Sequence, residues 1–154
     1  MTELIGQVHI IPIIHPVDTT TAAPTCDIFG LQKYNHATII LQTGTNSKGF
    51  AVTVEECTTA AGASNDALTE FYYREMATTD VWGALTASGG TLTVADGDDN
   101  HVFAIEIDAD ELTDTHPYVS LVCAAPASGN NYVSAIAILS EARFMTDIPV
   151  TAIA

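Results

Sequence analysis

The sequence predicts an all-β fold, an antiparallel β-sandwich or jelly roll, on three observations. From residue 36 onward the chain divides into seven short runs rich in Val, Ile, Thr, Tyr and Phe. The breaks between them hold Gly, Asn, Asp or Pro, and no stretch combines a 3.6-residue apolar period with helix caps.

The first two runs, "HATIILQTG" and "FAVTVEEC", flank "TGTNSKG". Gly44, Asn46 and Gly49 there are expected to supply the positive φ angles of a hairpin loop. "ALTEFYYREMA" alternates with period two, which sets Leu68, Glu70, Tyr72 and Arg74 on one face and Phe71, Tyr73 and Glu75 on the other. "SNDALTEF" begins like an N-capped helix, but the aromatic residues after it favour a strand. "GTLTVA", "HVFAIEID", "YVSLVCAA" and "YVSAIAILSEARF" complete the set, and "DADELTDTH" between two of them is long enough for one helical turn.

The ends read differently. Residues 1–35 are apolar without a clean period, and Pro12 removes a ladder donor inside "VHIIPIIHP". The segment is expected to be an extended arm, or at best an edge strand, followed by a linker at "VDTTTAAPT". Residues 36–145 form the sandwich and 146–154 an extended apolar tail. On this reading, removing residues 1–20 leaves the sandwich folded.

The 154 residues suffice for one domain with its own core. Charged residues are 15% of the chain against about 25% in ordinary soluble domains, and mean hydropathy is +0.25, so much of the exterior is uncharged. Such a surface suits burial in an assembly. A formal charge of -15 repels a phosphate backbone and leaves no basic stripe, which argues against nucleic-acid binding. "LIGQVHIIPII" is too short and interrupted to span a bilayer and follows no basic leader region, so neither membrane insertion nor cleavage is expected. Cys26, Cys57 and Cys123 have no CxxC spacing, and reduced thiols are expected.

Reactive constellations are sparse. "DGDDN", Asp96 to Asn100, opens like a calcium loop, but His101 stands at the sixth position and Ile107 at the twelfth, where Gly and Glu are needed. A solvated turn fits better, as it does for Asp108, Asp110, Glu111, Asp114 and His116. The histidines are scattered, no G-x-S-x-G elbow is present, and "TNSKG" has Lys in the wrong order for a phosphate loop. No catalytic residue, metal site or cofactor is expected.

"FYYREMATTDVWGAL" holds the chain's Trp and one of its four basic residues. Phe71, Tyr73 and Trp82 are expected to pack on the core, whereas Tyr72 and Arg74 face outward as contact residues, since Tyr and Arg are enriched at interface hot spots. Ile10, Ile11, Pro12, Ile13 and Ile14 in the arm, Trp82 at its core-edge position, and Ile148, Pro149 and Val150 in the tail complete the expected contact set.

The succession of "IIPIIHPVDTTTAAPTCDIFGLQKYNHATIILQTG", "VTVEEC", "FYYRE…DVWGALT", "HVFAIEIDADELTD" and "SAIAILSEARF…PVTAIA" resembles small tailed-bacteriophage proteins encoded beside the major capsid protein, the head decoration or cement proteins. The resemblance spans nearly the whole chain and rests on a pattern of strands and loops. It implies a virion protein made in the bacterial host cytoplasm that binds the outer surface of the capsid. Its partners would be the major capsid protein and neighbouring copies of itself, as a trimer or dimer, and no catalytic residues are implied. A head-fibre or adhesin-like module that grips a glycan through Tyr72, Tyr73, Trp82 and the acidic loops is the alternative.

Overall fold

The structure, a computed structural model, describes residues 4, 7–77, 79–126 and 129–143. They form two antiparallel sheets, and the described residues contain no α-helix. Eleven strands occur in chain order: β1 (His9–Asp18), β2 (Phe29–Gly30), β3 (Tyr34–Asn46), β4 (Phe50–Cys57), β5 (Asp66–Ala67), β6 (Tyr72–Met76), β7 (Thr86–Ala87), β8 (Leu92–Val94), β9 (Val102–Asp108), β10 (Tyr118–Cys123) and β11 (Asn131–Ala142). One sheet runs β1-β11-β3-β9-β6-β7; the other runs β2-β10-β4-β5, with β8 also on β4. The expected sandwich is therefore present.

Its core comes from alternate residues of the facing strands. Ile39 and Leu41 of β3, Phe103, Ile105 and Ile107 of β9, and Ala135, Ala137 and Leu139 of β11 line one side. Val52 and Val54 of β4, Val119 and Leu121 of β10, and Leu92 and Val94 of β8 line the other. Phe29 and Phe71, both fully buried, fill the space near the ends. Apolar burial of this kind is the main favourable term in folding.

The N-terminal segment is not an arm. β1 is the edge strand of the six-stranded sheet, paired antiparallel with β11 from His9↔Leu139 to Asp18↔Tyr132. An edge position tolerates Pro12 and Pro16, because an outward N–H has no ladder partner to lose. Register shifts follow Pro12 and Ile14, and they break the strand's alternation. Two successive residues, Ile13 and Ile14, thereby enter the core beside Ile11, as a β-bulge allows. These three isoleucines are packing residues, contrary to the expected contact role. The linker expected up to residue 35 also contains β2, which pairs with β10, and the buried Leu31 and Tyr34.

Three further expectations change. The β3 to β4 connection is a corner, because β3 belongs to one sheet and β4 to the other. Gly44, Asn46 and Gly49 do not have positive φ there. Gly49 is required by crowding instead, since a Cβ would lie 2.7 Å from the Val94 carbonyl oxygen. "ALTEFYYREMA" is likewise divided: β5 pairs with β4 and β6 with β9, and residues 68–71 cross between the sheets. The crossing explains why Leu68 and Phe71 are both buried despite their odd spacing. "DADELTDTH" forms turns rather than a helical turn. It is tied down by Glu56, which accepts bonds from Thr113 N and Oγ1, each at 2.6 Å.

A buried polar pair closes one end of the sandwich. Asn131 donates through Nδ2 to Asn46 Oδ1 and to the Lys48 carbonyl, while Asn46 Nδ2 donates to the Ala95 carbonyl at 2.6 Å. The Asn131 carbonyl accepts from Thr19 N at 2.8 Å. Four chain segments meet there, and buried amides left unpaired cost about 1–3 kcal/mol each.

Deleting residues 1–18 is expected to abolish cooperative folding. Each fully buried isoleucine contributes about 1.5–3 kcal/mol, so loss of three approaches the roughly 5–15 kcal/mol total of a typical domain. Urea unfolding monitored by circular dichroism measures this; a truncated chain with an unchanged midpoint would contradict the core role of β1.

Candidate functional site

A strand buried on one face only alternates apolar and polar residues, but β3 and β11 contain the unbroken apolar runs "IIL" and "AIAIL". Their surplus apolar residues face outward. In register across the six-stranded sheet, Pro12 of β1 lies beside Ile136 of β11, then Ile40 of β3, Ala104 of β9 and Arg74 of β6. The adjacent row reads Ile10, Ile138, Thr38, Glu106 and Tyr72, and the row on the other side Ser134, Gln42, Val102 and Met76. Ile136 is 38% exposed and Tyr72 39%, whereas Ile10, Ile40 and Ile138 are half-buried by their neighbours. The result is an apolar band on the outer face.

A loop beyond β6 exposes further apolar side chains. Val81, Trp82 and Leu85 are 67%, 40% and 50% exposed. Gly83 anchors the loop: its N–H donates to the Glu75 carbonyl at 2.7 Å and its carbonyl accepts from Arg74 Nη1 at 2.9 Å. A Cβ at Gly83 would sit 3.1 Å from that same Glu75 oxygen. The loop is thus held against β6 while its apolar side chains point away.

The expected contact residues divide accordingly. Ile10, Pro12 and Tyr72 lie on the outer face, Ile11, Ile13 and Ile14 in the core, and Ile148, Pro149 and Val150 outside the described residues. Arg74 is half-buried and serves the loop anchor. Trp82 is exposed, not packed over the core edge as expected, because its loop leaves the sheet. Ile40, Ile136, Ile138, Val81 and Leu85 were not anticipated. The uninterrupted apolar runs are the signal that finds the first three; the loop residues leave no periodic trace.

Two charged features border the face. His36 Nε2 lies 2.9 Å from Glu106 Oε2 and its Nδ1 lies 2.6 Å from Asp108 Oδ1, with Thr38 Oγ1 donating to the same Glu106 oxygen at 2.7 Å. Burial disfavours the imidazolium, but the two carboxylates outweigh it and hold His36 above its ordinary 6.5. The Tyr72 hydroxyl donates to Glu70 at 3.1 Å, and that carboxylate pushes the phenol up.

The "DGDDN" turn does not gather its carboxylates on one cation. Asp96 Oδ1 accepts from Gly49 N, Asp98 Oδ2 from Ala95 N and Asp99 Oδ1 from Asn46 N, so each caps a different backbone donor. The Gly49 amide and Lys48 hold Asp96 below its usual range. Cys26, Cys57 and Cys123 are free thiols; burial pushes all three up, Cys123 to about 12. Thiolate chemistry is thereby suppressed.

No family model matches the chain, and no curated protein matches it. Among solved structures it is similar to the crystal structure of SPBc2 prophage-derived protein YomS, at 11% identity over 85% of this chain and 92% of that one, with a TM-score of 0.48. A likeness at that level carries no functional argument.

His36 should give stability a distinct pH dependence. Its raised folded value means that its contribution is complete below about 6.5, the unfolded value, and is lost as pH rises through the higher folded value. Thermal unfolding from pH 5 to 9 should therefore show a decline on the alkaline side of 6.5 that His36→Gln lacks; identical profiles would refute the pairing.

Proposed function

We propose that this chain is a structural protein that binds the outer surface of a tailed-phage capsid and bridges neighbouring capsid subunits. The observation that carries the reading is the apolar band from Pro12 through Ile136 and Ile40 to Ala104 on an otherwise solvent-facing sheet, with Val81, Trp82 and Leu85 exposed on a separate loop after β6. A contiguous apolar surface rimmed by polar residues marks an interaction site. The sequence resemblance supplies the partner, the major capsid protein, with further copies of this chain beside it. The charge of -15 suits the outside of a shell packed with nucleic acid, since it disfavours contact with phosphate.

The face, rather than the edge, carries the contact in this account. Among the described residues no strand pairs with the outer side of β1, but Pro12 and Pro16 lack N–H groups and the register is twice interrupted, which blunts strand addition there. A protein that binds the assembled shell and not its separated subunits stabilises the shell by mass action. No reaction is involved.

Ile136→Asp and Trp82→Ala are expected to weaken co-sedimentation with expanded capsids by about tenfold or more each, as hot-spot residues do. Their own stability should change by no more than about 0.5 kcal/mol, as for exposed sites. Native affinity in both variants would contradict the assigned face.

The exposure of Trp82, with the exposed Asp80 two residues away, favours the glycan-binding module as a second reading. A glycan array that captures the native chain but not Trp82→Ala, together with no capsid binding, would place that reading first.

A further inference from the structure

We propose that Glu75, Asp98 and His101 form a binding site for a divalent transition-metal ion, of which zinc is the representative. His101 Nδ1 lies 2.7 Å from Glu75 Oε1 and 3.8 Å from Asp98 Oδ1, and the three donor atoms are all within 4.8 Å of one another. They arrive from two places: Glu75 from β6, and Asp98 and His101, three residues apart, from the connection between β8 and β9.

Each ligand is held by bonds that leave its donor atom free to converge. Asp98 Oδ2 accepts from Ala95 N at 2.7 Å, and the Asp98 carbonyl accepts from Thr43 Oγ1 at 2.7 Å. The His101 amide donates to Thr43 Oγ1 at 2.9 Å, and its ring leans on Phe103 with centroids 6.3 Å apart. Glu75 is fixed through its carbonyl by Gly83 N at 2.7 Å. A hydrogen bond explains Glu75 beside His101 but not Asp98 Oδ1. That oxygen approaches the same nitrogen at 3.8 Å, beyond hydrogen-bond length, and accepts no hydrogen bond among the described residues.

The donor set selects the ion. Zinc bonds of about 2.0–2.1 Å in tetrahedral geometry separate donors by roughly 3.4 Å, between the two spacings observed. One imidazole and two carboxylates suit zinc, cobalt or manganese, whereas calcium takes 6–8 oxygens. The Glu75 side chain is 41% exposed, which leaves an open side for water as the remaining ligand. On binding, any proton on Nδ1 passes to solvent and the ion offsets two carboxylate charges. The metal would then tie β6 to the β8 to β9 turn, beside the loop that carries Trp82.

The test is titration calorimetry of the full chain, first treated with chelator, with zinc chloride at pH 7. Cobalt absorption spectroscopy reports the coordination geometry alongside. One-to-one binding is expected, with a cobalt d–d band and a zinc-dependent rise in Tm. His101→Ala and Glu75→Gln should each weaken binding by about tenfold or more, and Asp110→Asn, in a different loop, should not. If His101→Ala fails to fold, Glu75→Gln decides, since it is nearly isosteric and its side chain is partly solvated. Lack of saturable binding up to about 1 mM zinc, or unchanged affinity in Glu75→Gln, would overturn the proposal.

Discussion

Strand β11 inserts between β1 and β3, and the rest of the structure depends on that insertion. It joins the beginning of the described chain to its end: His9 pairs with Leu139, and Ala37 on the other side pairs with the same residue. The six-stranded sheet lacks continuity until the last strand arrives, so its loop-closure entropy is met late and from distant parts of the sequence. Asn131 at the start of β11 adds direction to this constraint. Its buried side-chain amide donates to Asn46 and Lys48 and its backbone carbonyl accepts from Thr19, and a strand slipped by one residue would expose the core residues of β11 as well as breaking those bonds.

The same strands explain the outer face. β3 and β11 lie in the middle of the sheet and carry apolar residues on both sides, yet the second sheet covers only one side. The uncovered side costs solvation in an isolated chain and gains it back on docking. An edge strand with two prolines and an interrupted register prevents this surplus from being satisfied by indiscriminate strand pairing. Face docking with a protected edge is the arrangement that the proposed capsid-binding role requires.

Much of the fold was legible in the sequence because β-type runs and their breaks are local signals. β3, β4, β8, β9, β10 and β11 fall where the runs predict. What failed was non-local. Turn chemistry says that the chain bends after Asn46, not that it changes sheets, and alternation through residues 67–77 conceals the crossing that buries both Leu68 and Phe71. Pro12 pointed to an arm or an edge strand, and the edge strand is what forms, but no sequence signal shows the bulge that turns Ile13 and Ile14 inward. At the candidate surface, Tyr72 and Pro12 were legible as outward residues, whereas Ile40 and Ile136 were absorbed into the expected core. Glu75 and His101 meet only through the pairing of β6 with β9, which no spacing reveals.

Low charge density, an uncovered apolar sheet face and a tethered aromatic loop all favour a chain that works when covered by a partner. The capsid is the partner to which the sequence pattern points, and stoichiometry distinguishes a coat from an occasional passenger. The most direct measurement is the copy number of this chain per major capsid protein in purified particles, by quantitative mass spectrometry. A near-stoichiometric ratio is the predicted result; a few copies per particle, or none, would contradict the account.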